Sequence, residues 1–188
     1  MLRMTFLSAA LVLLAACQTT QPQRDYDSSR NFAEYRSWTW ADPAINFTPA
    51  NDPRIGSDLV AQRLKDAIAS QLDARGLRPA ASPEQADLKV RADMVIDERE
   101  QMVTTNYGVG LGTGYWGVWG GGPMMSETRS VDYQTATLQI DLIDAEDNQL
   151  VWRGSSTEVV RDQSQSPAER TRSAHELAAR VLTGYPPN

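Results

Sequence analysis

The sequence predicts an α+β domain of two layers, a mainly antiparallel sheet with two amphipathic helices packed on one face. Three observations lead there. Apolar and polar residues alternate along residues 87–97 and again along 136–142, the mark of strands with one buried and one wet face. Residues 52–76 and 166–184 instead carry apolar residues at helical spacing between cap signals. A sheet with one apolar face and two striped helices cover each other, and 188 residues suffice for one core.

Taken in order, residues 1–16 precede the domain. Arg3 gives a basic start, Phe6, Leu7, Ala9, Ala10, Leu11, Val12, Leu13 and Leu14 form an apolar stretch, and the small Ala15 and Ala16 close it. This reads as a secretory signal peptide, too short for an ordinary spanning helix. Leu14-Ala15-Ala16-Cys17 resembles the lipobox of bacterial lipoproteins, in which the cysteine takes a diacylglyceryl group before cleavage. Cys17, the one cysteine of the chain, is the expected lipid attachment site and mature N-terminus. Gln18 in place of an Asp after that cysteine resembles lipoproteins passed on to the outer membrane, which implies its periplasmic face. Residues 17–24 read as acylated cysteine and flexible tether, with seven residues after the cysteine spanning at most about 25 Å. One domain then occupies residues 25–188.

Tyr26, Phe32 and Tyr35 are apolar anchors ahead of a strand at residues 36–41, where Trp38 and Trp40 alternate with polar neighbours. Pro43 and Pro49 make residues 42–52 a loop. Asp52-Pro53 reads as N-cap and first helical position, followed by the stripe Ile55, Leu59, Leu64, Ala67, Ile68 and Leu72, with Arg75-Gly76 as the stop. Asp58, Arg63, Lys65, Asp66 and Asp73 form its solvated face. In the next strand Leu88, Val90, Ala92, Met94 and Ile96 alternate with Lys89, Arg91, Asp93 and Asp97. Ala136, Leu138, Ile140 and Leu142 alternate with Thr137, Gln139 and Asp141 in the one after. Residues 144–148 read as a turn and 150–160 as a third strand with Trp152 available to the core, so that the sheet is a meander. Ser166-Pro167-Ala168-Glu169 matches a capping box, and Ala174, Leu177, Ala178, Val181 and Leu182 continue as a stripe to Gly184 and Pro186-Pro187.

Between the first two long strands lies a loop, residues 108–125, that holds eight of the chain's 12 glycines, mixed with Tyr115, Trp116, Val118 and Trp119. So many glycines oppose ordering. Two readings stand side by side: the aromatic rings fold back over the domain's own sheet, or Tyr115, Trp116 and Trp119 contact a partner or a membrane interface.

Several chemistries are excluded or unsupported. Eighteen basic against 24 acidic residues, net charge -6, remove the attraction that drives nucleic-acid binding. One Cys and one His exclude an internal disulfide, a zinc finger and any site needing two imidazoles. Gly112-Thr113-Gly114-Tyr115-Trp116-Gly117 matches the dinucleotide-binding spacing, but Val118-Trp119-Gly120-Gly121-Gly122-Pro123 cannot open the helix whose amides would hold a pyrophosphate. His175 sits beside the apolar stripe of the second helix as a surface or boundary residue, and no Gly-x-Ser-x-Gly elbow marks a nucleophile for it. Asp144, Glu146 and Asp147 lack the calcium-loop pattern and read as turn chemistry. No cofactor, metal or catalytic residue is expected.

Asp25-Tyr26-Asp27, Phe32, Tyr35, Trp38-Thr39-Trp40, the helix ending at Gly76, Ala86-Asp87-Leu88, the Gly/aromatic insertion, Thr137-Leu138-Gln139-Ile140-Asp141-Leu142-Ile143-Asp144, Leu150-Val151-Trp152-Arg153-Gly154 and Tyr185-Pro186-Pro187 occur in this order. Together they resemble the bacterial envelope lipoprotein family known as domain of unknown function 4136, across the whole mature domain. The resemblance implies an envelope lipoprotein of α+β fold and brings no activity or catalytic residue with it. The shared pieces read as structural, with Trp152 a core anchor and Gly154 a position of close approach or a bulge. The reading that results is a non-enzymatic lipoprotein, membrane-bound through Cys17, whose Gly/Trp loop contacts an unidentified envelope protein or lipid. A small-ligand or lipid-binding lipoprotein and an envelope-polymer hydrolase are the alternatives, and the open edges of a short meander allow dimerisation through strands.

Overall fold

The computed structural model describes residues 22–50, 52, 55–107, 125–160 and 165–187. Its strands are β1 (Gln23–Tyr26), β2 (Ser37–Thr48), β3 (Arg78–Pro79), β4 (Leu88–Tyr107), β5 (Met125–Asp144) and β6 (Leu150–Val159); its helices are α1 (Asp58–Ala74) and α2 (Pro167–Val181). The strands join into one sheet in the order β1-β6-β5-β4-β2-β3. The period-two pattern settles which face is buried. Val90, Ala92, Met94 and Ile96 of β4 stand opposite Leu142, Ile140, Leu138 and Ala136 of β5 on one face, with Leu88 in the same row opposite Asp144, all at most 9% exposed. Leu64, Ala67, Ile68 and Leu72 of α1 and Leu177, Ala178 and Val181 of α2 belong to the same hydrophobic cluster.

The sheet is mixed, which corrects the mainly antiparallel meander. β4, β5 and β6 run as an antiparallel meander and β1 adds to β6 antiparallel, but β2 pairs with β4 in parallel and β3 with β2 in parallel. The reason is the helix between them. Parallel neighbours need a crossover of a dozen or more residues, and strand, α1, strand is such a unit. β2 also continues through much of the expected 42–52 loop. Trp38 to Trp40 pair with Leu88 to Val90 and Ile45 to Thr48 with Ala92 to Val95, and the step between takes up the extra residues in an irregularity that contains Pro43.

Two boundaries also move. Ser57, not Asp52, caps α1: its backbone is extended and its hydroxyl accepts from the Val60 N–H at 3.3 Å. The Asp52 carbonyl instead accepts from Ile55 and Gly56 N–H, closing a separate turn ahead of the helix. Gln23 and Arg24, expected in the tether, already pair with Ser155 and Gly154. At the other end, the capping box of Ser166 and Glu169 is present at α2. Gly76 has φ +88, the left-handed conformation that ends α1, as its place after Arg75 predicts.

Candidate functional site

β4 and β5 are each 20 residues long, twice the length of β6. Their neighbours give out halfway. β2 follows β4 only to Val95, opposite Thr48, and β6 follows β5 only to Thr135, opposite Val159. Beyond that level, residues 99–107 and 125–133 pair with each other alone among the described residues, in unbroken register from Arg99 opposite Tyr133 to Tyr107 opposite Met125. The result is a two-stranded ribbon standing off the sheet. Val103, Thr104, Thr105, Thr128, Val131 and Tyr133 favour the extended state, and the Thr104 and Thr128 hydroxyls meet at 3.1 Å across it. Met102 is 77% exposed, Val103 41% and Val131 39%.

The two faces of the ribbon differ. On the face continuous with the core stand Glu98, Glu100 and Asp132, with no base among them. On the other stand Arg99, Arg129, Val103, Val131 and Tyr133, with Asp97 and Glu127. Arg99 lies 3.8 Å from Asp97, while Gln134 donates to Glu98 on the acidic face.

Toward the body of the sheet, the second face carries an ion cluster built around Asp141. This carboxylate is fully buried although it lies on the polar side, because two guanidiniums cover it. Arg153 donates from Nε and Nη2 to its two oxygens, both at 2.7 Å, and Arg91 donates from Nη2 at 2.8 Å. The bond to Asp141 raises the Arg153 pKa above its ordinary value. Gln139 donates to Asp141 and Asn46 to Asp93, which lies 3.7 Å from Arg91. With both oxygens accepting from donors on either side, Asp141 is a brace across β4, β5 and β6, and its oxygens are not available as a base.

A third cluster ties the segment after β1 to the β5–β6 turn. Arg30 donates to Asp27 (3.3 Å), Asp144 (3.1 Å) and Asp147 (2.5 Å), and the Tyr35 hydroxyl donates to Asp144 at 2.9 Å. The Arg30 side chain holds the Asp147 carboxyl below the usual range. Burial, then the bond to Asp144, pushes Tyr35 up to about 12. Asp144 also accepts from the Glu146 N–H, so the acidic trio is turn chemistry held by a bridging arginine.

Beside it Phe32 meets Tyr26, Tyr35 and Tyr185 edge-to-face at 6.1, 5.8 and 6.0 Å, and Tyr185 meets Trp152 at 5.6 Å. Gly154 is required here. A Cβ on it would lie 2.3 Å from the Trp152 ring and 2.8 Å from the Val181 carbonyl oxygen. Pieces of sequence as distant as Tyr26, Phe32, Tyr35, Trp152, Gly154 and Tyr185 thus converge on one packing centre. The pattern they form marks a fold.

Of the residues expected to make contacts, Cys17, Tyr115, Trp116 and Trp119 lie outside the described residues. His175 is half-buried on α2. Among the described residues no group of three His, Cys, Asp or Glu side chains could hold a metal ion, and no helix is long and apolar enough to cross a membrane. A shallow depression of about 230 Å³ lies over Asp25 to Asp27 and Leu150 to Arg153. The ribbon is what sequence reading missed. Its signal was weak, a run of Val103, Thr104 and Thr105 beside the glycines, because charges on both faces hide the alternation.

A family model described as a domain of unknown function (DUF4136) matches residues 22–187. No curated protein matches the sequence. Among solved structures, a DUF4136 family protein from Bacteroides thetaiotaomicron is 19% identical with a TM-score of 0.51, over 88% of this chain and 95% of that one. A PDZ domain protein from Parabacteroides distasonis is 12% identical with a TM-score of 0.53, over 89% of this chain. This chain spans only 35% of that longer protein. At such identities the likeness is one of fold.

Proposed function

Since the chain belongs to the DUF4136 family, a domain of unknown function, we propose from its own geometry that it is a non-enzymatic envelope lipoprotein that uses its ribbon as a contact arm. In this reading Cys17 carries the lipid, the protein sits on the periplasmic face of the outer membrane, and an envelope protein or lipid is engaged through the ribbon and the segment holding Tyr115, Trp116 and Trp119. The observation that carries it is the half-length of β4 and β5 that no other element supports among the described residues. A strand pair with two open edges and charges on both faces contributes little to a core, so a contact function is the better account of it.

A photo-crosslinking residue at Trp116 or Trp119 in living cells tests the reading. A discrete protein or lipid adduct is expected, and adducts to the domain itself alone would overturn it. The anchor is tested separately by Cys17→Ser, which is expected to remove the lipid-modified mass. The small-ligand alternative predicts a hydrophobic compound retained in native mass spectra of the purified domain. The hydrolase alternative has its acids to account for. Asp141, Asp144 and Asp147 are engaged by arginines, which suits bracing better than proton transfer.

A further inference from the structure

The direction in which the chain enters the sheet constrains what the ribbon meets. β1 runs antiparallel to β6, with Tyr26 opposite Trp152 and Gln23 opposite Ser155. Followed backwards, β1 therefore heads toward Val159 and Thr135, where the ribbon leaves the sheet. The N-terminal end of β1 thus points toward the ribbon's end of the domain. Gln23 is level, through Ser155 and Gln139, with Asp93 of β4. From that level the ribbon continues from residue 93 to residue 107, about 46 Å. Residues 17–23 reach at most about 21 Å. A lipid on Cys17 thus holds the membrane surface nearer the sheet than the far end of the ribbon.

If the ribbon pointed straight at that surface, its outer part of about 25 Å would have to enter a hydrocarbon layer roughly 30 Å thick. Its open edges and its charged residues Glu100, Glu127, Arg129 and Asp132 forbid that, because unpaired backbone groups find no partner in lipid. A ribbon lying along the surface escapes that cost, and the face to be turned down is set by charge. Arg99 and Arg129, balanced by Asp97 and Glu127, share a face with Val103, Val131 and Tyr133, while Glu98, Glu100 and Asp132, with no base among them, crowd the other. Arginines match lipid phosphates, valines and a tyrosine suit the headgroup boundary, and a face of acids alone is repelled by an anionic surface.

We propose that residues 97–105 and 126–135 form a membrane-surface site that lies flat on the bilayer anchoring Cys17, with the Arg99, Val103, Arg129, Val131 face against phospholipid headgroups. This deepens the contact-arm reading and rests on its lipid anchor.

The test uses the full acylated chain in vesicles of phosphatidylethanolamine with a minor share of phosphatidylglycerol. Val103→Cys and Met102→Cys place a probe on one face and on the other, and with Cys17 acylated each introduces the one free thiol. An environment-sensitive dye at position 103 is expected to shift to the blue and to be quenched by nitroxide-bearing lipids, while the dye at 102 stays in water. Adding Arg99→Glu with Arg129→Glu is expected to abolish the shift at 103. Water-like emission from both positions overturns the proposal, as does equal lipid quenching at both, which would mean insertion. Shielding of position 103 in whole envelopes but not in protein-free vesicles also overturns it and assigns the face to a protein. Intact mass of the same preparations reports acylation of Cys17, so a missing anchor is told apart from a ribbon that stays in water.

Discussion

The inner and outer halves of the β4–β5 hairpin are one continuous ladder in two different settings. In the inner half every residue on one face is apolar and buried, from Leu88 to Ile96 and from Ala136 to Leu142, with β2 on one edge and β6 on the other. In the outer half the same register holds Glu100 opposite Asp132 and Met102 opposite Ser130, with no third strand among the described residues. Like charges facing each other across a pair oppose pairing, and the outer half gains no burial in return. Backbone pairing alone does not make a core; the difference lies in what the side chains meet.

That contrast breaks first at the packing centre. Trp152→Ala removes a fully buried indole that Tyr185 abuts, and is expected to lower unfolding free energy by about 3–5 kcal/mol in urea titration. Gly154→Ala drives a methyl into that indole and the end of α2, with an expected loss of about 1–3 kcal/mol. If either variant keeps the parental midpoint, the aromatic centre is not what holds the inner half.

Asp141 gives the next effect. Asp141→Ala leaves Arg91 and Arg153 without their shared acceptor, and because both guanidiniums are about 40% exposed and can recover water, about 1–3 kcal/mol is expected. A double-mutant cycle with Arg153→Ala checks the bond itself: the coupling should be favourable, and its absence would reduce the cluster to surface decoration.

Smaller still are the two ionisations that bind the N-terminal segment. Asp87 accepts from the Arg36 and Ser37 N–H groups at 2.9 and 2.8 Å. Partial burial pulls its pKa upward, but those bonds and the Ser37 hydroxyl outweigh it and hold the carboxyl below its ordinary value of 3.8. A depressed carboxyl contributes stability above 3.8 that is lost as pH falls through the folded value. Asp87→Asn should therefore cost about 1 kcal/mol at neutral pH and flatten the acid limb below that point. Tyr35 has the opposite sign. Its raised pKa contributes stability below pH 10 that is lost between pH 10 and about 12, so Tyr35→Phe should flatten the alkaline limb of a melting-temperature profile. An unchanged limb would mean that Tyr185, pushed up by deeper burial, carries all of it.

The same division explains what could be read in advance. Alternation in Leu88, Val90, Ala92, Met94 and Ile96 and the stripes of α1 and α2 report burial, which leaves a period in the sequence, while the exposed capping box at Ser166 reports the free amides of a helix start. The direction of β2 was legible too, since a helix between strands implies a parallel crossover, but Pro43 and Pro49 masked the strand's second half. Convergence of Tyr26, Phe32 and Tyr35 on Trp152 and Tyr185 was not legible, because such contacts depend on which edge β1 joins. The ribbon left little trace for the opposite reason: among the described residues no element covers it or imposes a period on Glu98, Glu100 and Met102.

The smallest effect expected on stability is therefore from the largest change. Glu98 and Gln134 face each other in register, and the Gln134 carbonyl still serves the inner half by accepting from the Val160 N–H at 2.8 Å. A two-residue Asn-Gly turn joining Glu98 to Gln134 keeps that bond and discards all of residues 99–133. If the outer half is a contact arm, this domain should unfold within about 1 kcal/mol of the parent, with a lower denaturant dependence because less surface is exposed on unfolding. A loss as large as that of Trp152→Ala would join the two halves into one folding unit and remove the ground for treating the ribbon as a contact device. Retained stability with lost vesicle or envelope contact would separate them: the inner half as what the chain needs to fold, the outer half as what it carries for something else.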